Sequence, residues 1–303
     1  MTGEQGARRR RIGIIIAAAS ALMLALNDVA VPFAYAQGFS AATVVLLRYI
    51  FMLSSLAVLL PLAGLSYGLR RDHAFQAAGS GITAGIATLA LLGSFALVPV
   101  SLALIILYTY PILTAMFESV HARRPPSLVE VICLMVALGG IGIVIGLNEV
   151  KVSVPGLLLA CVSSVGYATS IFWNSIRLRT ANGTVVAFHM AIFGVATSAL
   201  FALASGSFAV APLSVSSWTA VLIACFFFAA AFIGMYKAIE LVGGAPTAMI
   251  FNLEPVFVIF LAAALLGEAL TLPRLLGSAM VIGAVVVSEF WRSRKAVAVA
   301  AAR

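Results

Sequence analysis

The 303-residue chain is 63% hydrophobic and only 9% charged, against roughly a quarter charged in soluble domains. That excludes a water-soluble globule, because too few charges remain to cover its surface. Its net charge of +8 would suit a nucleic-acid partner, but apolar runs of about 20 residues, the length that crosses a ~30 Å hydrocarbon core, recur from end to end.

Ten helices are predicted, over residues 12–36, 40–62, 74–97, 100–120, 127–147, 154–176, 184–205, 216–241, 244–266 and 271–291. The first follows Arg8 to Arg11. Those arginines, the run from Ile12 to Leu26 and "AYA" at 34–36 also resemble a secretory signal with a small-residue cleavage site. The length of the run, and the odd helix number its removal would leave, favour a retained first helix. Asp28 sits ~24 Å along it at 1.5 Å per residue, and Arg48 roughly 10 Å into the second helix from the other side. Their similar depth predicts a structural ion pair.

Further along, the third helix puts Gln76, Ser80 and Thr83 on one face. It also carries "GITAG" (Gly81 to Gly85), as the fifth carries "GIVIG" (Gly142 to Gly146), both small-xxx-small packing patterns. Ser127 and Glu130 form a capping-box pattern ahead of the fifth helix. On the sixth, Ser163, Tyr167, Ser170 and Asn174 recur at i, i+4, i+7 and i+11 beside Trp173. The eighth has Phe228, Phe232 and Tyr236 on one face, with Lys237 and Glu240 near its end, where snorkelling would explain them. Pro273 suits the first turn of the tenth. Cys133, Cys161 and Cys225 stand singly in apolar runs and read as small core residues. Each polar position has a plain alternative, as glue between helices.

Basic residues fix the orientation. Arg8 to Arg11, Arg70, Arg71, Arg123, Arg124, Arg177, Arg179, Lys237, Arg292, Arg294, Lys295 and Arg303 fall on one side of a ten-span arrangement, and only Lys151 and Arg274 on the other. This asymmetry puts both termini in the cytoplasm.

Sliding the chain by 144 residues superposes Leu97 on Leu241, Val98 on Val242, Ile106 on Ile250, Pro111 on Pro255, Leu128 on Leu272 and Gly139 on Gly283. A shift of 141 superposes "TVV" at 43–45 on 184–186 and pairs Arg48 with His189. Each unit has five helices, an odd number, so its copy enters from the opposite side, an inverted repeat of the kind built into transporters. Glu268 then occupies, outside, the position that Arg124 holds in the cytoplasm. The expected fold class is an all-α integral membrane protein of ten transmembrane helices as two inverted five-helix repeats. A tail at 1–11, repeats at 12–147 and 154–291, a connection at 148–153 and a tail at 292–303 complete it.

Tyr108 and Tyr110, and Asn252 and Glu254, directly precede the repeat-related prolines halfway along the fourth and ninth helices. Pro111 and Pro255 free the backbone locally, and irregular backbone at membrane depth is tolerated where it is buried in protein, as in a plain proline kink with a buried neutral Glu, or where it lines a cavity. The residues expected to bind substrate are therefore Tyr108, Tyr110, Tyr167, Trp173, Asn174, Tyr236, Asn252 and Glu254. Asp28, Arg48, His189, Pro111 and Pro255 are expected to be structural or coupling residues. No P-loop, HExxH or Cys/His cluster occurs, and no carboxylate pair is legible at mid-depth.

The stretch "LEPVFVIFLAAALLGEALTLPRLLG" and the arginine in "LLRYIF" resemble the EamA-type fold of the drug/metabolite transporter superfamily. The likeness is specific in the second repeat. In the first, the acid after "YPILTAMF" falls out of place. The resemblance implies a secondary transporter, not an enzyme, exporting small metabolites such as amino acids, aromatic ones included, or drug-like solutes. It implies a bacterial inner-membrane location, no cofactor, no metal, no nucleic acid, and as partners the bilayer and a small-molecule substrate. The chain is expected to act as a monomer.

Overall fold

The structure, a computed structural model, describes the backbone of residues 3–95, 97–98, 100–123, 125–145, 153–178, 180–210, 214–266 and 270–301. Arg124, Lys151, Arg179 and Glu268, and nearly all of the expected connection at 148–153, lie outside the described residues.

Twelve helices and no strand form among the described residues. They are α1 (Gly3–Ala36), α2 (Ala41–Leu62), α3 (Arg71–Phe95), α4 (Val100–Leu107), α5 (Tyr110–His121), α6 (Leu128–Ile145), α7 (Val154–Arg177), α8 (Gly183–Ser205), α9 (Val215–Val242), α10 (Gly244–Phe251), α11 (Glu254–Leu266) and α12 (Leu272–Ala301). Each predicted helix is present. The fourth and ninth are broken, α4 from α5 at Tyr108 and Thr109, and α10 from α11 at Asn252 and Leu253. The two breaks coincide under the 144-residue shift.

Seven segments are long and apolar enough to cross a membrane by themselves: 5–36, 41–62, 71–94, 154–177, 183–205, 215–242 and 244–265. The apolar parts of α6 (128–143) and α12 (275–288) are shorter, and the break leaves α4 and α5 short. α1 packs along α9 and against α10 and α11.

Small residues set the packing. Ala17, Ala21 and Ala25 are fully buried on α1, four residues apart and so on one face. Across that seam a Cβ at Gly234 of α9 would come within 2.1 Å of the Ser20 hydroxyl. Leu62, Leu203 and Val215 are mostly exposed instead. Such an inside-out distribution suits helices surrounded by lipid, where close contact rather than burial of large side chains drives association.

The two halves interlock reciprocally. α1 packs along α9 while α3 packs along α7, α2 meets α8, and α6 meets α12. Local signals are met where tested. Ser127 N–H donates to Glu130 Oε2 at 3.0 Å and Glu130 N–H to Ser127 Oγ at 3.3 Å, the reciprocal capping box ahead of α6. Gly81 and Gly85 both abut α8, at Phe193 and Thr197. "GIVIG" is a correction. Nothing lies within 4 Å of a Cβ on Gly142, and Gly146 is outside the described residues. The close approach belongs to Gly140, whose Cβ would stand 2.7 Å from the Gly277 carbonyl of α12.

Candidate functional site

Proline builds the first half of the site. Pro111 has no N–H to give the Leu107 carbonyl, so that acceptor is freed at the end of α4. Ser164 of α7 fills the gap, its hydroxyl donating to Leu107 O at 3.1 Å and lying 2.8 Å from the Thr109 hydroxyl. The break is thus held open by a neighbouring helix, which leaves Tyr108 and Tyr110 at fixed positions on either side. The second break uses Pro255 in the same place. There Asn252 N–H donates to Met249 O at 3.2 Å and Leu253 N–H to Ile250 O at 3.0 Å, tightening the chain before α11 begins at Glu254.

The breaks face each other. Tyr108 donates its hydroxyl to Glu254 Oε1 at 3.0 Å, both side chains being buried. Glu254 in turn lies close to the Asp28 carboxyl on α1. Asn27 Nδ2–H donates to Asp28 Oδ1 at 2.9 Å, and Arg48 Nη1–H donates to Asn27 Oδ1 at 3.2 Å. A polar chain therefore runs Arg48–Asn27–Asp28–Glu254–Tyr108, through α2, α1, α11 and the α4–α5 break.

Two expectations are corrected here. Asp28 and Arg48 share depth and field, but Asn27 stands between them and takes the guanidinium, whose remaining face lies over the Phe228 ring at 4.9 Å. A carboxylate pair does exist at depth, formed by residues of opposite halves, so no spacing in the sequence reveals it. Asp28 keeps an exposed surface, whereas Asn27 beside it is fully buried. Tyr35, seven residues on along α1, is also exposed, within Coulombic range of both Asp28 and Arg48.

Tyrosines form the wall. Tyr110 lies close to Glu254 and Tyr167. Tyr167 pairs its hydroxyl with Thr88 at 2.8 Å. Tyr236 is buried near Tyr49 and Tyr167. Tyr49 meets the Phe228 ring edge-on at 5.1 Å, and Phe228 meets Phe232 at 4.4 Å. Asn252 is buried with its Oδ1 unpartnered.

Other expected site residues serve the α3–α7 seam. Trp173 Nε1–H donates to Gln76 Oε1 and its ring covers Gly79. Asn174 Nδ2 donates to Ser80 Oγ at 2.7 Å and to Ser170 O at 2.8 Å. His189 Nδ1–H donates to Val185 O at 3.0 Å within its own helix. The structure does not bring it to the polar chain.

Sequence reasoning passes over three residues that matter. Asn27, Ser164 and Tyr49 look like ordinary helix positions, and only the fold gives them partners. A fourth, Glu118, is the displaced acid of "YPILTAMFE". It accepts from Ser175 Oγ at 2.8 Å and Ala245 N–H at 3.1 Å, and Ser175 accepts from Gly244 N–H at 2.9 Å. A carboxylate thus seats the N-terminus of α10, where the helix dipole favours it. Lys237 and Glu240 pair at 2.7 Å, and Glu240 accepts the Gly183 N–H at 2.7 Å, capping α8. A separate cavity of about 330 Å³ lies between the α2–α3 and α7–α8 connections, away from the polar chain. Its Arg70 is paired with Asp72 at 3.1 Å and its His73 with Thr180 at 3.3 Å.

Comparison with known proteins supplies context. The sequence matches the EamA-like transporter family twice, over residues 11–146 and 154–290. A protein of known crystal structure, 20% identical, superposes with a TM-score of 0.79, covering 93% of this chain and 98% of its own. At that identity the likeness concerns the fold alone. No curated protein matches the chain in sequence.

Proposed function

The chain belongs to the EamA-like transporter family, and from that premise we propose that it is a secondary transporter exporting small organic metabolites, amino acids or drug-like solutes among them, through the crevice between its halves. The observation that carries this reading is the meeting of two proline-broken helices at a polar chain contributed by both halves. Irregular backbone and acids at that depth are tolerated where they are buried among protein groups or face a water-filled path, and a path between the halves accounts for both breaks meeting at one place.

In this reading ten spans form two inverted five-helix repeats with both termini cytoplasmic, in a bacterial inner membrane. α4–α5 and α10–α11 each count as one span. The reciprocal packing of α1 on α9 and of α3 on α7 supports it, because a two-fold relation requires every contact to recur with the halves exchanged. Access alternates as the halves rearrange about the Tyr108–Glu254 contact. The seat that Glu118 makes for α10 is one of the bonds that must break and re-form. Aromatic walls suit a ring-bearing solute, and a single chain carries the whole path.

Purified protein in liposomes tests this. Labelled amino acids, amines and nucleosides are offered, and at least one crosses faster than in empty vesicles. Glu254→Gln and Tyr108→Ala change that rate at unchanged folded yield. Transport by both variants at the wild-type rate removes the crevice from the path, and a flat screen removes the function.

A further inference from the structure

We infer that the cavity between the α2–α3 and α7–α8 connections is a binding site for a phosphate group, carried by an anionic lipid headgroup or by a small phosphate ester. It lies apart from the Tyr108–Glu254 contact, and the inference stands independently of the transport reading.

Donors build the wall of this cavity. Arg70 ends the α2–α3 connection and His73 lies in the first turn of α3. Thr180 and Asn182 come from the α7–α8 connection, and Ser66 adds a second hydroxyl. The His73 ring, 3.3 Å from the Thr180 hydroxyl, brings the two connections together. Asn182 accepts the Thr184 N–H on its Oδ1 at 2.9 Å, which leaves its amide N–H pair as the end available to a ligand. Among the described lining residues there is no carboxylate. A cation therefore meets no counter-charge in the wall, whereas an anion meets a guanidinium, an imidazole, an amide and hydroxyls. Arg70 does hold a partner outside the lining, Asp72 Oδ2 at 3.1 Å, but both side chains are mostly exposed. So exposed a pair is weak, and a phosphate that takes two bonds from the guanidinium fork competes with it. Arg71 and Arg177, exposed at the start of α3 and the end of α7, add positive charge beside the two connections.

The fold itself does not require this space. In the other half the corresponding place lies between the α8–α9 and α1–α2 connections, and there it is filled. Ser40 caps α2 as Asn182 caps α8. Ser40 N–H donates to Ala209 O at 3.1 Å, Ser40 Oγ donates to Ser207 O, and Ala209 N–H donates to Thr43 Oγ1 at 3.1 Å. The α8–α9 connection thus covers the start of α2, whereas the α2–α3 connection stands off α8 and leaves about 330 Å³, at the small end of the range for ligand pockets. The first N–H groups of α8 are already taken by Glu240 and Asn182, so recognition falls to the side chains. Depth suits a lipid. The cavity opens where the span 41–62 ends and the span 71–94 begins, the level of the headgroups. Leu62 and Phe75, on either side of the connection, are 78% and 76% exposed and offer a surface to acyl chains. In the ten-span arrangement this face is cytoplasmic, where basic pockets between helices take phosphate headgroups.

Thermal melts of the full chain in detergent test the site, because a probe that binds only the folded chain raises the melting temperature with its concentration. The probes are phosphatidylglycerol, the matching phosphatidylcholine, glycerol 1-phosphate and inorganic phosphate. Phosphatidylglycerol is expected to stabilise the chain, and phosphatidylcholine to bind at least about tenfold more weakly, since its choline cation meets only donors. Stabilisation by phosphatidylglycerol alone assigns the site to a lipid headgroup; stabilisation by glycerol 1-phosphate or inorganic phosphate as well shows that a free phosphate suffices. Arg70→Ala weakens the effective probe at least about tenfold, and Arg70→Lys falls between, keeping the charge and losing the fork. Arg8→Ala, which removes the same charge outside the cavity, leaves binding as in the wild type. Asp72→Asn tightens it by releasing Arg70. Should Arg70→Ala not fold, Thr180→Val at an exposed position also weakens the probe. No stabilisation by any phosphate, phosphatidylcholine as effective as phosphatidylglycerol, or equal losses in Arg8→Ala and Arg70→Ala overturns the assignment. A flat solute screen in liposomes leaves it standing.

Discussion

Ser163 and Ser164 are adjacent, equally buried and chemically identical, yet only one has work to do. Ser164 satisfies the carbonyl that Pro111 frees, while Ser163 Oγ has no partner. Ser164→Ala therefore removes an interhelical bond and strands an acceptor, a loss of about 1 kcal/mol on the scale of such bonds in membrane bundles. Ser163→Ala removes a group that was already unsatisfied and is expected to be neutral or stabilising. Thermal melts of both variants in one detergent decide this, and the reverse ranking would show that the α4–α5 break is not held by α7. The comparison also shows why the stripe Ser163, Tyr167, Ser170 and Asn174 divides in function. Tyr167 points into the tyrosine wall, whereas Ser170 and Asn174 are consumed by Ser80 across the α3 seam.

At the scale of the element, glycine matters where backbones touch. Gly140 lets α6 approach the Gly277 carbonyl of α12, so a methyl group there must push two helices apart. Backbone cannot give way as a flexible side chain can. Gly140→Ala should cost about 1–3 kcal/mol, the usual range for overpacking, while Gly142→Ala, two residues away with open space around it, should change stability by less than about 0.5 kcal/mol. Chemical denaturation of the two variants in mixed micelles checks the contrast. Equal losses would mean that α6 and α12 are not in backbone contact. Helix breaks obey the same logic. α4 and α10 are each eight residues long, too short to be stable alone, and persist because Ser164, Glu118 and Ser175 receive their ends.

For the whole molecule, the distribution of arginine and lysine predicts sidedness. Ser66, in the α2–α3 connection, belongs to the cytoplasmic face of the ten-span arrangement, and Phe208, in the α8–α9 connection, to the outer one. Both are exposed. With Cys133, Cys161 and Cys225 replaced by alanine, a membrane-impermeant maleimide added to intact cells should label Phe208→Cys and not Ser66→Cys. Permeabilised cells should give label at both. Labelling of the two from the same side would break the inverted relation between the halves, whatever the packing of α1 on α9.

The sequence by itself determined the solvent, the helices and the places where they break. Hydropathy at helix length is a local property, and Pro111 and Pro255 act on the carbonyl four residues earlier, so both are readable from a single stretch. The capping box at Ser127 and Glu130 was legible for the same reason. What only the tertiary structure decided is who meets whom. Asp28 was expected beside Arg48 because depth along a helix can be counted, but rotation about the helix axis cannot. That rotation puts Asn27 on the arginine and turns Asp28 toward Glu254. The acid at 254, conspicuous in an apolar run, acquires its chemistry from a partner more than two hundred residues away, brought there by the packing of one half of the bundle against the other.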